Sequence, residues 1–101
     1  MKLQIGETLY ELEYTINSVC SLEEVTGKEL GDCMKQGGYR GIRTLLWCGM
    51  LENTPTLTLK KAGNLLQEYL KDKELGDLVQ TIGDAIEQAD FLKAQGLLKK
   101  K

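Results

Sequence analysis

No histidine occurs in the chain, and that absence removes the Ser–His and Cys–His pairs by which the commonest hydrolases activate a nucleophile. Cysteine is scarce, odd in number and scattered over Cys20, Cys33 and Cys48. A structural zinc takes four ligands, usually in close pairs, so no metal is expected. The thiols read as buried and free in a reducing cytoplasm, with a reactive or intermolecular cysteine as the alternative. Arginine is limited to Arg40 and Arg43, and the net charge is -2. Phosphate contacts come from a clustered excess of Lys and Arg, so this balance argues against nucleic acid. No apolar run approaches the ~18 residues of a membrane span. The start, Met1 to Glu7, lacks the apolar stretch of a secretory signal. Neither membrane nor cofactor is expected as a partner.

What is present is one domain's worth of chain. Its 101 residues, 42% of them hydrophobic, are enough to bury about 65% of the unfolded surface around one core. Residues 2 to 14 alternate: Leu3 and Ile5, then Tyr10, Leu12 and Tyr14, share faces opposite Lys2, Gln4, Glu11 and Glu13. Around Gly6-Glu7 this predicts a β-hairpin, whose apolar face must lie on helices or on another chain because an isolated ribbon is marginal.

Helical spacing follows. Thr15 to Val25 carries Ile16, Val19, Leu22 and Val25, with Thr15 or Ser18 to cap it and Gly27 to stop it. Residues 28 to 38 have only Leu30, Cys33 and Met34 as anchors and read as a short helical turn, then a loop. Tyr39 to Leu51 is the most hydrophobic helix and the expected centre of the core. The only proline, Pro55, marks a turn, after which Thr58 caps a helix with Leu59, Ala62, Leu66, Tyr69 and Leu70 on one face. Lys60 and Lys61 oppose the dipole of that helix. A last helix begins near Asp72, with the stripe Leu75, Leu78, Val79, Ile82, Ile86 and Ala89. The expected architecture is therefore mainly α, an N-terminal β-hairpin packed on a single-core bundle of three to four helices. Residues 1–92 form the domain, and 93–101 a frayed or disordered basic tail.

Chemistry is sparse. The carboxylate pairs Glu11/Glu13 and Glu23/Glu24 read as solvent-facing rather than as acid and base. Gly37-Gly38-Tyr39-Arg40-Gly41 lacks the spacing and the Lys-Ser/Thr of a P-loop and reads as a flexible connection. Gly76 and Gly83, seven apart on the last helix, are either tolerated or allow close helix approach. Trp47, Phe91, Leu97 and Leu98 are the candidate partner-binding residues; a large ring at helical spacing is also a core signature. No catalytic, cofactor-binding or metal residues are assigned.

In order along the chain, these features resemble the tail assembly chaperones of long-tailed phages and prophages, including the related tail protein of gene transfer agents. The resemblance runs from about residue 2 to residue 92. It is carried by the hairpin Leu3 to Leu12, Leu22-Glu23-Glu24 followed by Gly27, the segment Ile42 to Leu51, and Thr58 opening a helix with Gly63 and Leu65-Leu66. Lys60-Lys61 departs from the acidic residues the family would carry there. The resemblance implies a non-enzymatic protein of the bacterial host cytoplasm that binds the tape measure protein during virion morphogenesis. It also implies a longer, frameshifted form of the same protein as a partner, alongside a homo-oligomer. Lys99-Lys100-Lys101 reads either as an ordinary basic tail or as the trace of an A-rich slippery site. A small adaptor or regulatory protein is the first alternative. A helix-turn-helix DNA binder using Arg40 and Arg43 is the second.

Overall fold

Every long element of the chain packs on one helix in the computed structural model, which describes residues 1–94 and the side chains of 1–92. The order is β1 (Lys2–Ile5), β2 (Thr8–Glu11), α1 (Ile16–Thr26), α2 (Leu30–Gln36), α3 (Gly38–Met50), α4 (Leu59–Tyr69), α5 (Leu75–Glu87) and α6 (Asp90–Ala94). Helix α3 touches α1, α2, α4, α5 and β2, and between Gly41 and Met50 every residue but Arg43 is buried. The expected fold class is the observed one: four helices of eleven residues or more, α1, α3, α4 and α5, with α2 and α6 as shorter pieces.

The hairpin is antiparallel, with Leu3 opposite Tyr10 and Ile5 opposite Thr8. Its apolar face lies on helices as expected: Leu3, Ile5, Leu12 and Tyr14 are buried, and β1 packs on α4. Leu12 and Tyr14 lie past the end of β2 yet keep the alternation, because the backbone remains anchored. The Leu12 N–H donates to the Met1 carbonyl at 2.8 Å, and the Glu13 N–H donates to the Gly49 carbonyl at 2.7 Å. The second of these satisfies a carbonyl in the last turn of α3, where helical partners run out.

Helix α1 opens with a capping box in which the Thr15 hydroxyl accepts from the Ser18 N–H and the Ser18 hydroxyl accepts from the Thr15 N–H. It ends at Gly27 in the left-handed conformation, φ 71°. The expected stripe needs correction: Ser18 and Leu22 are buried and Val19 partly so, while Ile16 and Val25 are exposed. Ile16 lies about 160° round the helix from Ser18. Val25 sits in the last turn and stays open to solvent. Ser18 can be buried because its hydroxyl is already used by the cap.

The short helical turn expected within residues 28–38 is the seven-residue helix α2, and in place of the loop expected after it Gly37 alone separates it from α3. Gly37 and Gly38 both take φ 64°, a region open to glycine at little cost, and this lets α2 fold back onto α3. A Cβ at Gly41 would lie 3.1 Å from the Cys33 carbonyl oxygen, so the junction is packed and not the flexible connection expected from Gly37–Gly41.

Thr58 caps α4 as expected, accepting from the Lys61 N–H at 3.1 Å despite the two lysines in the first turn. Helix α5 begins at Leu75 with Glu74 as its N-cap, two to three residues after the expected Asp72. Leu78, Ile82, Ala85 and Ile86 are its buried line, whereas Val79 is exposed on the flank. Lys93 and Ala94, the first residues of the expected tail, continue α6, and the rest of it, residues 95–101, lies outside the described residues.

Neither Gly76 nor Gly83 has anything within 4 Å of where a Cβ would sit, so the close helix approach expected there does not occur among the described residues. Replacing either by alanine removes the helix penalty of glycine without a clash. Each is expected to stabilise by about 1 kcal/mol and to raise Tm by roughly 5 °C. A melt in which Gly83→Ala is destabilised while its assembly state changes would show that a second chain uses that face.

Candidate functional site

The acidic pairs do not converge into a catalytic arrangement. Glu11 accepts from the Met1 ammonium at 2.6 Å and from Lys2 Nζ at 3.0 Å. Those bonds, the ammonium's first, hold its carboxyl below the usual carboxylate range. Glu13, Glu23 and Glu24 are exposed. No three His, Cys, Asp or Glu side chains come together as a metal site among the described residues. No described helix is long and apolar enough to cross a membrane.

The thiols divide two to one. Cys33 and Cys48 are buried, but Cys20 is exposed, which corrects the expectation that all three are interior. Position 20 lies on the solvent side of α1, two residues from each of the buried positions Ser18 and Leu22. Cys48 donates to the Ser18 carbonyl at 3.4 Å, and burial pushes its thiol up to about 12. Burial also raises Cys33. Because the thiolate is the reactive form, one thiol per chain is expected to react with a maleimide near neutral pH, and three in denaturant. Peptide mapping checks this: label on Cys33 or Cys48 in the native protein would contradict the packing.

Of the candidate partner-binding residues, Trp47 is 5% exposed and its ring N–H donates to the Leu57 carbonyl at 2.9 Å. The ring is therefore core, satisfied at its one polar atom, and not a surface for a partner. Phe91 is half-buried against the same core. Leu97 and Leu98 lie outside the described residues. The exposed large apolar side chains, Leu9, Ile16, Val25, Tyr39 and Val79, are spread over the hairpin, α1, α3 and α5. Scattered single residues of this kind are ordinary on a protein surface.

Two concavities of similar size stand out among the described residues. One, of about 450 Å³, lies where the hairpin exit meets α5 and α6 and is bordered by Glu11, Glu13, Asp90, Ile16 and Phe91. The other, of about 470 Å³, is an open groove between α3 and α4 lined by Tyr39, Arg40, Arg43, Gly63, Leu66, Gln67 and Leu70. Both volumes fall in the range of binding pockets. The second brings together both arginines of the chain, and no carboxylate lines it. Neither arginine forms an ion pair among the described residues. Arg43 Nε is shielded from solvent and has no acceptor, and the Arg43 side chain runs against Gly63, where a Cβ would stand 3.2 Å from its Cδ.

Compared with models of protein families, with curated proteins and with solved structures, the chain matches none. The sequence pointed to Arg40 and Arg43 only as a weak nucleic-acid signal, and nothing in it paired them with Gly63, Leu66 and Leu70. The one available cue was Gly63, an interior helix glycine three residues before Leu66.

Proposed function

We propose that this chain is a tail assembly chaperone of a long-tailed phage or prophage, a non-enzymatic protein of the host cytoplasm that binds the tape measure protein before the tail tube closes around it. The reading is carried by the order of the motifs that resemble the family, and each falls on a distinct element. The hairpin motif lies on β1 and β2, Leu22-Glu23-Glu24 with Gly27 on the end of α1, Ile42 to Leu51 on and just past α3, and Thr58 with Gly63 and Leu65-Leu66 on α4. An open groove between two helices gives such a protein a place to receive a third helix.

The DNA-binding alternative has a physical objection. A recognition helix needs an open face to enter a groove, and α3 is buried on nearly every side from Gly41 onward. The adaptor alternative shares the composition and lack of chemistry, and the partner separates it from the chaperone. The test is expression of the native gene together with its downstream DNA, followed by co-purification and intact-mass analysis. The expected result is a long, coil-rich protein held in solution by this chain, with a minor product extended past Lys99–Lys101. A long downstream protein that stays soluble without this chain and does not co-purify with it would overturn the reading.

A further inference from the structure

We infer that the groove between α3 and α4 seats a helix of a partner protein that presents a carboxylate beside a leucine-sized apolar side chain. Arg43 and Arg40 receive the carboxylate, and the half-buried Leu70, beside the core residue Leu66, receives the apolar group. The inference rests on the reading of the chain as a helix-binding chaperone and names the surface and the partner chemistry it uses.

Shape comes first. Gly63, Leu66 and Leu70 follow one another at three and four residues along α4, so they form a strip about 10 Å long, two turns of helix. Tyr39, Arg40 and Arg43 form the opposite wall from α3. A trough between two packed helices, open at the surface and matched in length to two turns, fits the i, i+3/i+4, i+7 side chains of a third helix. Gly63, by contributing no side chain, leaves room on α4 for the Arg43 stem, whose Cδ lies 3.2 Å from where a Cβ would stand.

Charge then selects the occupant. The chain is acidic overall, yet this groove holds both arginines and no carboxylate. A buried charged donor without an acceptor is unfavourable, and Arg43 Nε is such a donor. The guanidinium carries a fork of donors matched to a carboxylate, and the Arg43 stem that presents it lies against Gly63. A phosphate backbone would use the arginines but leave Leu66, Leu70 and the Tyr39 ring without a role. Tyr39, 67% exposed at the mouth, adds an aromatic face for the same apolar ridge.

The test titrates the full chain, observed by backbone amide NMR, to millimolar concentration with a short amphipathic peptide carrying leucines and one glutamate on a single face. A second titration uses the same peptide with glutamine. Shifts should map to α3 residues 39–43 and to residues 63–70 of α4 and its C-cap, and the glutamate peptide should bind about tenfold more tightly, a preference that weakens as salt rises. Arg43→Gln should abolish that preference. Arg40→Gln, at an exposed position where folding is indifferent to it, should reduce it. Equal binding of the two peptides, shifts elsewhere, no shifts at all, or duplex DNA displacing the peptide from the groove would each overturn the inference. Co-expression with the downstream reading frame separates the two levels. If the wild-type chain retains the long protein and the arginine variants retain it equally, the groove is wrong and the chaperone reading stands. If the wild-type chain fails to retain it while the peptide preference holds, the chaperone reading is wrong and the groove serves another helix.

Discussion

Gly49→Ala is expected to cost about 3 kcal/mol and to lower Tm by roughly 15 °C, although alanine is the better helix former. The Tyr14 ring lies across α3 at this position, and a Cβ on residue 49 would stand 2.8 Å from both Tyr14 Cζ and its hydroxyl oxygen. These are the atoms that carry the Tyr14 hydrogen bond to the Leu45 carbonyl, 2.6 Å long and buried. The ring cannot retreat without breaking that bond. The backbone cannot move either, because the Gly49 carbonyl accepts from the Glu13 N–H. Urea unfolding measures the loss, and the background decides its cause. With Tyr14→Ala the clash disappears, so adding Gly49→Ala there should be neutral or stabilising by up to about 1 kcal/mol. A destabilisation of equal size in both backgrounds would mean that the ring is not what glycine accommodates.

The same seam shows which parts of the fold were legible in the sequence. Tyr14 and Gly49 each belonged to a readable pattern, alternation in one case and helical spacing in the other, and both were expected to be buried. Their contact was not legible, since it joins residues 35 apart in the chain. Period and caps carried the elements: the α5 stripe, Thr58 before α4, Thr15 and Gly27 around α1. They failed where apolar identity and burial diverge. Ile16 and Val25 are exposed although apolar, whereas Ser18 is buried because the capping box satisfies its hydroxyl and Cys48 packs over it. The α2–α3 junction was unreadable for a related reason. Gly37 to Gly41 looks like a loop by composition, and only the close approach of Gly41 to the Cys33 carbonyl makes it a corner. The groove is the extreme case: its arginines were visible as residues, but a concavity belongs to two helices and has no signature on either.

Alkaline pH should unfold the protein from the same place. Cys48 and Tyr14 are both held in their neutral forms by burial, the thiol raised from 9.0 to about 12 and the phenol well above 10.0. In the unfolded chain these groups ionise near their ordinary values, so above pH 9 the unfolded state sheds a proton that the fold retains. Stability is therefore full below pH 9 and is lost as pH rises toward the folded-state value. For Cys48 alone, three pH units at about 1.4 kcal/mol each give a loss of about 4 kcal/mol, with Tyr14 adding to it above pH 10. That is a large share of the 5–15 kcal/mol typical of a domain, so cooperative unfolding is expected between about pH 10 and pH 12. Cys48→Ala supplies the check. Near neutral pH the variant loses the packing of one sulfur and should be less stable than wild type by about 1 kcal/mol. Near pH 11 it should be the more stable of the two, since it no longer has a thiol to keep protonated. Stability curves that stay parallel from pH 8 to pH 11 would show that the thiol is not buried against Ser18. Curves that cross would place proton retention, and with it the strength of the fold at high pH, on the seam where α1, α3 and the hairpin exit meet.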